Sequence, residues 1–302
     1  MDLSTSIIGI YLVHPLMNAS GILGFTPEHV DILEKYRVSA VVTKTFTLKP
    51  REGHREPVIV ELANGGILNS MGLPNPGITG VSRVVKAAKN KNLPVIVSVG
   101  GANLEEFREV AIIAEEEGAD GVELNLSCPH TKGYGLEIGQ DKSMVYNIIR
   151  EVSNSLKIPV IAKLGLVDNI VEIAGKALEA GAKALTLINT IKAMYIDVFS
   201  AKPFLSNIYG GLSGPPIHPI AVRVVYDVYK EFSPEIIATG GVMNWYDAAE
   251  FLLAGARAIQ LGSALIIKRE KAVPEILDGL NMWLTRIGLR SINEAVGLAV
   301  RK

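Results

Sequence analysis

The single cysteine of the chain, Cys128, stands just beyond the apolar run Val122–Leu126 and directly before Pro129. A run with three glycines follows at 131–140. A free thiol titrates near about 8.5, so a well-placed cysteine can accept a proton at moderate cost. A free cysteine is more often a small buried hydrophobe. Its position at a strand end, before a glycine-bearing loop, favours catalysis instead. We therefore predict that Cys128 is a catalytic base and that Asn125 points into the same site.

Two lysines, Lys44 and Lys163, stand where strand-like runs end. A lysine is rarely buried without a partner. Two that converge on one site therefore predict an anionic ligand. A solvated lysine at the start of a loop is the alternative for each of them.

Glycines close the last two strand-like runs, as Gly240-Gly241 and Gly262-Ser263, and a further glycine-rich turn spans 210–214. In α/β barrels the loops after the seventh and eighth strands commonly bind phosphate through backbone N–H groups. Ordinary turn chemistry would explain any one of these pairs. Two consecutive strands that end in this way predict a phosphate site.

Carboxamides are concentrated in the segment 69–75 and at Asn189-Thr190, directly after an apolar run. Each carboxamide offers both a donor and an acceptor, which suits a planar ring with amide edges. The five histidines show no metal-ligand spacing, so we predict no metal site.

These residues need a scaffold, and strand-like apolar runs alternate with amphipathic helical patterns along the whole chain. Continuous apolar strands that are each followed by a helix indicate a parallel sheet covered by helices. Eight such units predict a closed (β/α)8 TIM barrel of the α/β class. The eight runs are Leu16–Ala19, Ser39–Thr43, Val95–Val99, Val122–Leu126, Val160–Leu164, Ala184–Ile188, Ile236–Ala238 and Ala258–Leu261.

The chain of 302 residues has the length of one such barrel. We predict a single domain over residues 1–302. Insertions at about 47–80, 129–142 and 190–218 are expected over the carboxyl-terminal mouth, where long loops follow the strands.

Composition excludes several classes of protein. Hydrophobic residues make up 48% and the net charge is −1, which argues against disorder and against binding to nucleic acid or an anionic membrane. One cysteine allows neither an internal disulfide nor an internal iron–sulfur cluster. Residues 3–27 contain Ser, Thr, His, Asn and Pro, which a spanning helix would have to bury. We expect a cytoplasmic protein.

Together these motifs resemble the dihydroorotate dehydrogenases over nearly the whole chain, most closely the catalytic FMN subunit of the NAD-linked, two-component (class 1B) branch. The resemblance to that branch includes Met194 and Asp197, which follow Asn189-Thr190. The main motifs are Asn18-Ala-Ser-Gly21, Thr43-Lys-Thr45, Asn69-Ser-Met-Gly-Leu-Pro-Asn75, Asn125-Leu-Ser-Cys-Pro129, Asn189-Thr190, Gly211-Leu-Ser-Gly214 and Gly240-Gly241.

The resemblance implies that Cys128 removes a proton from C5 of dihydroorotate while hydride passes from C6 to N5 of FMN. It implies a flavin site of Ser20, Lys44, Thr45, Ser98, Asn125, Lys163, Ile188, Gly214, Gly240, Gly241, Gly262 and Ser263. It implies a substrate site of Lys44, Asn69, Ser70, Met71, Gly72, Leu73, Asn125, Asn189 and Thr190.

Electrons must then leave the FMN, and the chain carries no second flavin motif. The resemblance implies a partner subunit with FAD and a [2Fe–2S] cluster, NAD as the final acceptor, and a homodimer of catalytic subunits within a heterotetramer.

Two positions depart from the family pattern. His130 stands where Asn is usual, and Ser263 where Thr is common. Cys-Pro-His130 and Gly139-Gln-Asp141 are similar to the pyrimidine-binding domain of dihydropyrimidine dehydrogenase, so reduction of uracil or thymine is the close alternative. Two functions of a different class also fit these residues: a flavin-free barrel with Lys163 as a Schiff-base amine, and a non-catalytic flavin-binding subunit.

Overall fold

The computed structural model describes residues 1–127 and 136–301. The strands are β1 (Thr5–Ile7), β2 (Ile10–Leu12), β3 (Leu16–Asn18), β4 (Val41–Val42), β5 (Ile59–Glu61), β6 (Ile67–Asn69), β7 (Val95–Val99), β8 (Gly121–Asn125), β9 (Val160–Leu164), β10 (Ala184–Leu187), β11 (Ile191–Ala193), β12 (Ile196–Asp197), β13 (Lys202–Pro203), β14 (Gly210–Ser213), β15 (Glu235–Thr239) and β16 (Ala258–Leu261).

The helices are α1 (Pro27–Lys35), α2 (Val81–Asn90), α3 (Leu104–Glu116), α4 (Leu136–Gly139), α5 (Lys142–Ser155), α6 (Ile170–Glu179), α7 (His218–Phe232), α8 (Trp245–Ala254), α9 (Ser263–Ile267), α10 (Ala272–Ile287) and α11 (Ile292–Ala295). Short 3₁₀ turns lie at Gly77–Gly80, Pro215–Ile217 and Arg269–Lys271.

Eight strands form one parallel sheet in the order β3-β16-β15-β10-β9-β8-β7-β4, and helices cover its outer face. These are the eight strands that the sequence predicted, and no boundary differs by more than two residues. The predicted (β/α)8 barrel is confirmed.

Capping side chains mark where the covering helices start. Asn103 caps α3, because its side chain accepts a hydrogen bond from the N–H of Glu106, and a capping box between Asn244 and Asp247 starts α8. Each helix then buries one apolar face, as α3 does with Phe107. The carboxyl ends of the strands consequently meet at one mouth.

The barrel closes between β3 and β4 through a side chain. The Nδ2 of Asn18 donates to the carbonyl of Val42 (2.7 Å) and its Oδ1 accepts the N–H of Val42 (2.9 Å). The N–H of Ser39 also donates to the carbonyl of Leu16 (2.9 Å). Asn18 is fully buried. Its carboxamide thus takes the place of a backbone ladder across the seam.

We expect Asn18→Leu to lower the free energy of unfolding by about 1–3 kcal/mol, because it leaves both polar groups of Val42 buried and unsatisfied. Urea denaturation followed by circular dichroism measures this loss. Asn18→Asp is the matched variant, since it keeps the acceptor and loses the donor, and should retain less stability than the wild type. Wild-type stability in Asn18→Leu would contradict this role of the side chain.

The sequence did not predict the N-terminal hairpin of β1 and β2, which covers the opposite end of the barrel. Ile7 and Leu12 are fully buried in a cluster with interior residues such as Met17 and Ile96. The N–H of Ile8 donates to the Glu235 carboxylate at the start of β15. The hairpin closes this end and leaves the carboxyl-terminal mouth as the open one.

His14, just before β3, is buried between two backbone groups. Its Nδ1 accepts the N–H of Leu16 (3.3 Å), and its Nε2 donates to the carbonyl of Arg37 (2.9 Å). The ring is therefore neutral, and burial lowers the pKa of His14 from its ordinary value of 6.5.

The contribution of the neutral His14 ring to the free energy of unfolding should be complete above about pH 6.5, its pKa in the unfolded chain. It should be lost as the pH falls towards the lower pKa of the folded protein, because the unfolded chain takes up the proton first. We expect His14→Gln to lose less stability than the wild type between about pH 7 and pH 5. Urea midpoints at the two pH values test this, and equal losses would contradict it.

A second sheet lies over the mouth. Strands β11, β14, β6 and β5 pair antiparallel in that order, and we call them the mouth sheet. They come from the two segments 47–80 and 190–218. Within residues 1–127 and 136–301, no helix is both long and apolar enough to span a membrane.

Candidate active site

A cavity of about 430 Å³ opens at the carboxyl ends of the barrel strands, beneath the mouth sheet. This volume lies within the range of small-molecule sites, about 300–1,000 Å³. Most of the site residues that the sequence singled out line it. They are Ser20, Lys44, Thr45, Asn69, Met71, Gly72, Leu73, Asn125, Lys163, Ile188, Asn189, Thr190, Gly214, Gly240, Gly241, Gly262 and Ser263.

A chain of polar side chains crosses one wall of this cavity. The hydroxyl of Thr45 lies 3.2 Å from that of Ser20 and 3.0 Å from that of Ser98, and it accepts the Nδ2 of Asn125 (3.0 Å). Ser98 is fully buried behind Thr45 and does not itself line the cavity. This network fixes the Asn125 carboxamide at the strand end.

A second group of bonds holds the chain as it leaves β8. Asn189 donates from Nδ2 to the Ser127 hydroxyl (2.9 Å) and carbonyl (3.3 Å), and the Ser127 hydroxyl donates to Oδ1 of Asn125 (3.2 Å). Asn125 and Ser127 are buried, so these bonds are shielded from water. The predicted base Cys128, and His130 with it, lie outside the described residues. The residue before Cys128 is anchored at the cavity wall.

Lys44 is held at the mouth by its backbone and is only 8% exposed. Its N–H donates to the carbonyl of Gly24 (3.0 Å), and its own carbonyl accepts the hydroxyl of Thr43 (2.9 Å). A Cβ added at Gly21 would lie 3.7 Å from Nζ of Lys44, so the ammonium group lies beside that glycine. A buried cation on the cavity wall suits an anionic ligand.

Lys163 lies within a buried polar network that the sequence analysis missed. Its Nζ lies 3.4 Å from Oε1 of Glu123 and donates to Oε1 of Gln260 (3.1 Å). The other carboxylate oxygen of Glu123 accepts from Thr186 (2.8 Å) and from Gln260 (2.6 Å). A signal existed, because Glu123 precedes Asn125 by two residues and so shares its face of the strand.

Ser70 differs from its neighbours in the segment 69–73. It is fully buried and does not line the cavity. Its hydroxyl accepts from Asn207 (3.2 Å) and lies 3.1 Å from Nδ1 of His54. A Cβ at Gly72, where φ is +76°, would come within 2.8 Å of His54. Ser70 and Gly72 therefore shape the loop that presents Asn69, Met71 and Leu73.

Glycines form another part of the cavity wall, and we call Gly214, Gly240, Gly241 and Gly262 the glycine cradle. A Cβ at Gly241 (φ +72°) would lie 2.6 Å from the carbonyl of Gly214. A Cβ at Gly262 would meet only Ala19 and Ile22, at 3.9 and 4.0 Å, so a ligand can approach this backbone. Ser263 begins α9, and the first N–H groups of a helix have no partner within the helix. The cradle therefore fits a phosphate group.

The other residues that line the cavity belong to no motif that the sequence analysis recognised. Apolar side chains such as Ile22, Leu23 and Ile217 contribute, as does Arg269 at the rim. Their spacing follows from the fold, and isolated apolar residues in loops carry no sequence signal.

The structure brings three potential metal ligands together, although the sequence predicted no metal site. One nitrogen of His218 and one carboxylate oxygen each of Asp247 and Glu250 lie within 4.8 Å of one another. They lie behind the glycine cradle, since His218 contacts Gly240 and Gly241.

Comparison with known proteins gives a consistent result. The family model described as dihydroorotate dehydrogenase matches residues 2–284. A protein of Aeropyrum pernix, provisionally named dihydroorotate dehydrogenase A (fumarate), is 48% identical over 99% of this chain and 98% of its own length.

Two further relatives bear the name dihydroorotate dehydrogenase B (NAD(+)), catalytic subunit. The protein of Thermoplasma volcanium is 46% identical over 100% of this chain and 99% of its own. The protein of Pyrococcus abyssi is 43% identical over 99% of both chains. All three names contain dihydroorotate dehydrogenase; one of them adds fumarate and the other two add NAD(+).

Proposed function

Because the chain belongs to the dihydroorotate dehydrogenase family, we propose that it oxidises dihydroorotate to orotate in pyrimidine biosynthesis, with FMN as its cofactor. One observation supports this most directly: a single cavity joins a glycine cradle suited to phosphate with a wall of carboxamides and a buried lysine. We also propose a cytoplasmic location.

The chemistry of the cavity wall suits FMN, which when bound would accept the hydride. The glycine cradle and Ser263 would hold its phosphate through backbone N–H groups. Lys163 would lie at the pyrimidine edge of the flavin ring and offset the negative charge of its reduced form. Ser20, Thr45 and Asn125 would add hydrogen bonds to the flavin.

Lys44 and the carboxamides of Asn69, Asn125 and Asn189 would bind the substrate. Lys44 would pair with its carboxylate, and the carboxamides would bind the amide edges of its ring. Cys128 would take the proton from C5, since Ser127 is already fixed at the cavity wall by Asn125 and Asn189.

We expect Lys44→Met to raise KM for dihydroorotate about 10- to 100-fold, because hydrogen bonds to charged groups contribute about 1.5–3 kcal/mol. Steady-state kinetics with an artificial acceptor measure it. Lys183→Met, at the opposite end of the barrel, is the matched control and should leave KM unchanged. An unchanged KM in Lys44→Met would contradict a role in carboxylate binding.

We further propose that a partner subunit with FAD and a [2Fe–2S] cluster passes the electrons to NAD, within a heterotetramer built on a homodimer of this chain. The names of the Thermoplasma and Pyrococcus relatives support this branch. The Aeropyrum relative favours fumarate as a second candidate acceptor. Sustained turnover by the isolated chain with fumarate would establish the second candidate. Turnover with NAD only in the presence of a partner subunit would support the first.

An anaerobic titration tests the substrate. The purified chain with bound FMN is mixed with dihydroorotate and, separately, with dihydrouracil, and the flavin absorbance is followed. We expect bleaching by dihydroorotate alone. Bleaching by dihydrouracil alone would assign the protein to the uracil-reducing class, and a colourless protein that binds no FMN would refute the flavin assignment.

A further inference from the structure

His218, the first residue of α7, is buried between two hydrogen-bond acceptors behind the glycine cradle. Its Nδ1 lies 2.9 Å from the carbonyl oxygen of Gly240, and its Nε2 lies 3.1 Å from Oε2 of Glu250. The ring packs edge-on against Phe251 at 4.9 Å, so it is held in this orientation. Rotating the ring by half a turn would place carbon atoms against both acceptors.

A carbonyl oxygen can only accept a hydrogen bond, so the contact with Gly240 places an N–H on Nδ1 of His218. On the other side of the ring, Nε2 faces the carboxylate of Glu250, which keeps 40% of its side chain in solvent. The ring is therefore held between the backbone of the cradle and helix α8.

The bond to Gly240 sets the direction of a peptide group in the cradle. Gly240 and Gly241 line the cavity, and His218 does not. The carbonyl of Gly240 therefore points out of the cavity, towards His218. In a planar trans peptide the N–H points away from the carbonyl, so the N–H of Gly241 is directed to the cavity side.

We propose that His218, held in place by Glu250 and Phe251, is a positioning residue for the glycine cradle. It donates from Nδ1 to the carbonyl of Gly240 and so fixes the Gly240–Gly241 peptide with the N–H of Gly241 towards the place where a phosphate group binds. The ligand is FMN if the proposed function holds, and the inference deepens that function by assigning the support of its phosphate site.

A divalent cation shared with Asp247 is the competing interpretation of this cluster. Oδ2 of Asp247 already accepts the N–H groups of Met243 (2.7 Å) and Asn244 (3.1 Å), as part of the capping box of α8. A cation would take Nε2 of His218 and a carboxylate oxygen of Glu250 as ligands. If the cradle depended on such a cation, a chelator would weaken FMN binding by the wild-type protein, which would overturn the proposal.

Nuclear magnetic resonance of the full-length protein, labelled with ¹⁵N at histidine, shows which ring nitrogen carries a proton. We expect one histidine to show an N–H at Nδ1, and we expect its signals to disappear in His218→Gln. A His218 ring without an N–H at Nδ1 would overturn the proposal.

Binding of FMN and of riboflavin, which lacks the phosphate, supplies the second measurement. After removal of bound flavin, the variants Glu250→Gln and His218→Gln should bind FMN about tenfold more weakly than the wild-type protein. A loss of this size corresponds to about one hydrogen bond to a charged group. Riboflavin affinity should stay the same. Glu275→Gln, which removes an exposed carboxylate paired with Lys268, is the matched control and should change neither affinity.

Equal losses for FMN and riboflavin would overturn the proposal, because they would show that His218 supports only the fold. If the wild-type protein bound neither flavin, the proposed function would fail. The N–H at Nδ1 would still decide whether His218 holds the Gly240 peptide.

Discussion

Replacing Cys128 by alanine is expected to slow the reduction of bound flavin by dihydroorotate by roughly 10²–10⁴-fold, the usual contribution of a general base. Proton removal from C5 then has no side chain to accept it. Anaerobic stopped-flow absorbance measures the rate directly, without any need for the electron acceptor. Flavin content should stay at the wild-type level, because the cofactor contacts assigned above lie on other residues.

Cys128→Ser separates the thiol from its position. A serine hydroxyl has a much higher pKa than a thiol, so it should restore little of the rate near neutral pH and more as the pH rises. Ser127→Ala is the neighbouring control. It removes bonds to Asn125 and Asn189 and keeps the thiol, so its loss should be smaller. A normal rate in Cys128→Ala would refute the assignment of the base.

Lys163→Met is expected to lower the free energy of unfolding by about 3–5 kcal/mol, because it leaves the fully buried carboxylate of Glu123 without its cation. Urea denaturation measures the loss. Lys268→Met, which breaks the exposed pair with Glu275, is the matched control and should cost less than about 1 kcal/mol.

The double variant Lys163→Met with Glu123→Gln tests the pairing. It removes both charges, so its loss of stability should be smaller than the sum of the two single losses. Flavin reduction should be slow in Lys163→Met and equally slow in the double variant, because both lack the lysine at the flavin edge. Additive losses would show that the two side chains act independently.

The sequence predicted the barrel well because each strand is a short apolar run followed by a helix. The cavity wall followed from the same pattern, since the residues directly after parallel strands share one edge of the sheet. Lys44, Asn189 and Gly241 were found in this way.

Contacts between distant parts of the chain could not be predicted. Glu123 and Gln260 lie inside runs that resemble ordinary apolar strands, and their partners are set by the curvature of the barrel. The N-terminal hairpin was missed because β1 and β2 are only three residues each. His218 resembled an ordinary turn residue until the fold placed Glu250 and Gly240 on either side of its ring.

The mouth sheet has a consequence for the order in which the protein folds. Its central pair joins β6 to β14, and Asn69 and Gly211 in that pair are 142 residues apart in the chain. Six of the eight barrel strands must be synthesised before this pair can form, and such non-local pairing is slow. The central pair of the cover therefore cannot form from either segment alone, and folding of the barrel strands between the two segments lowers the cost of closing this long loop.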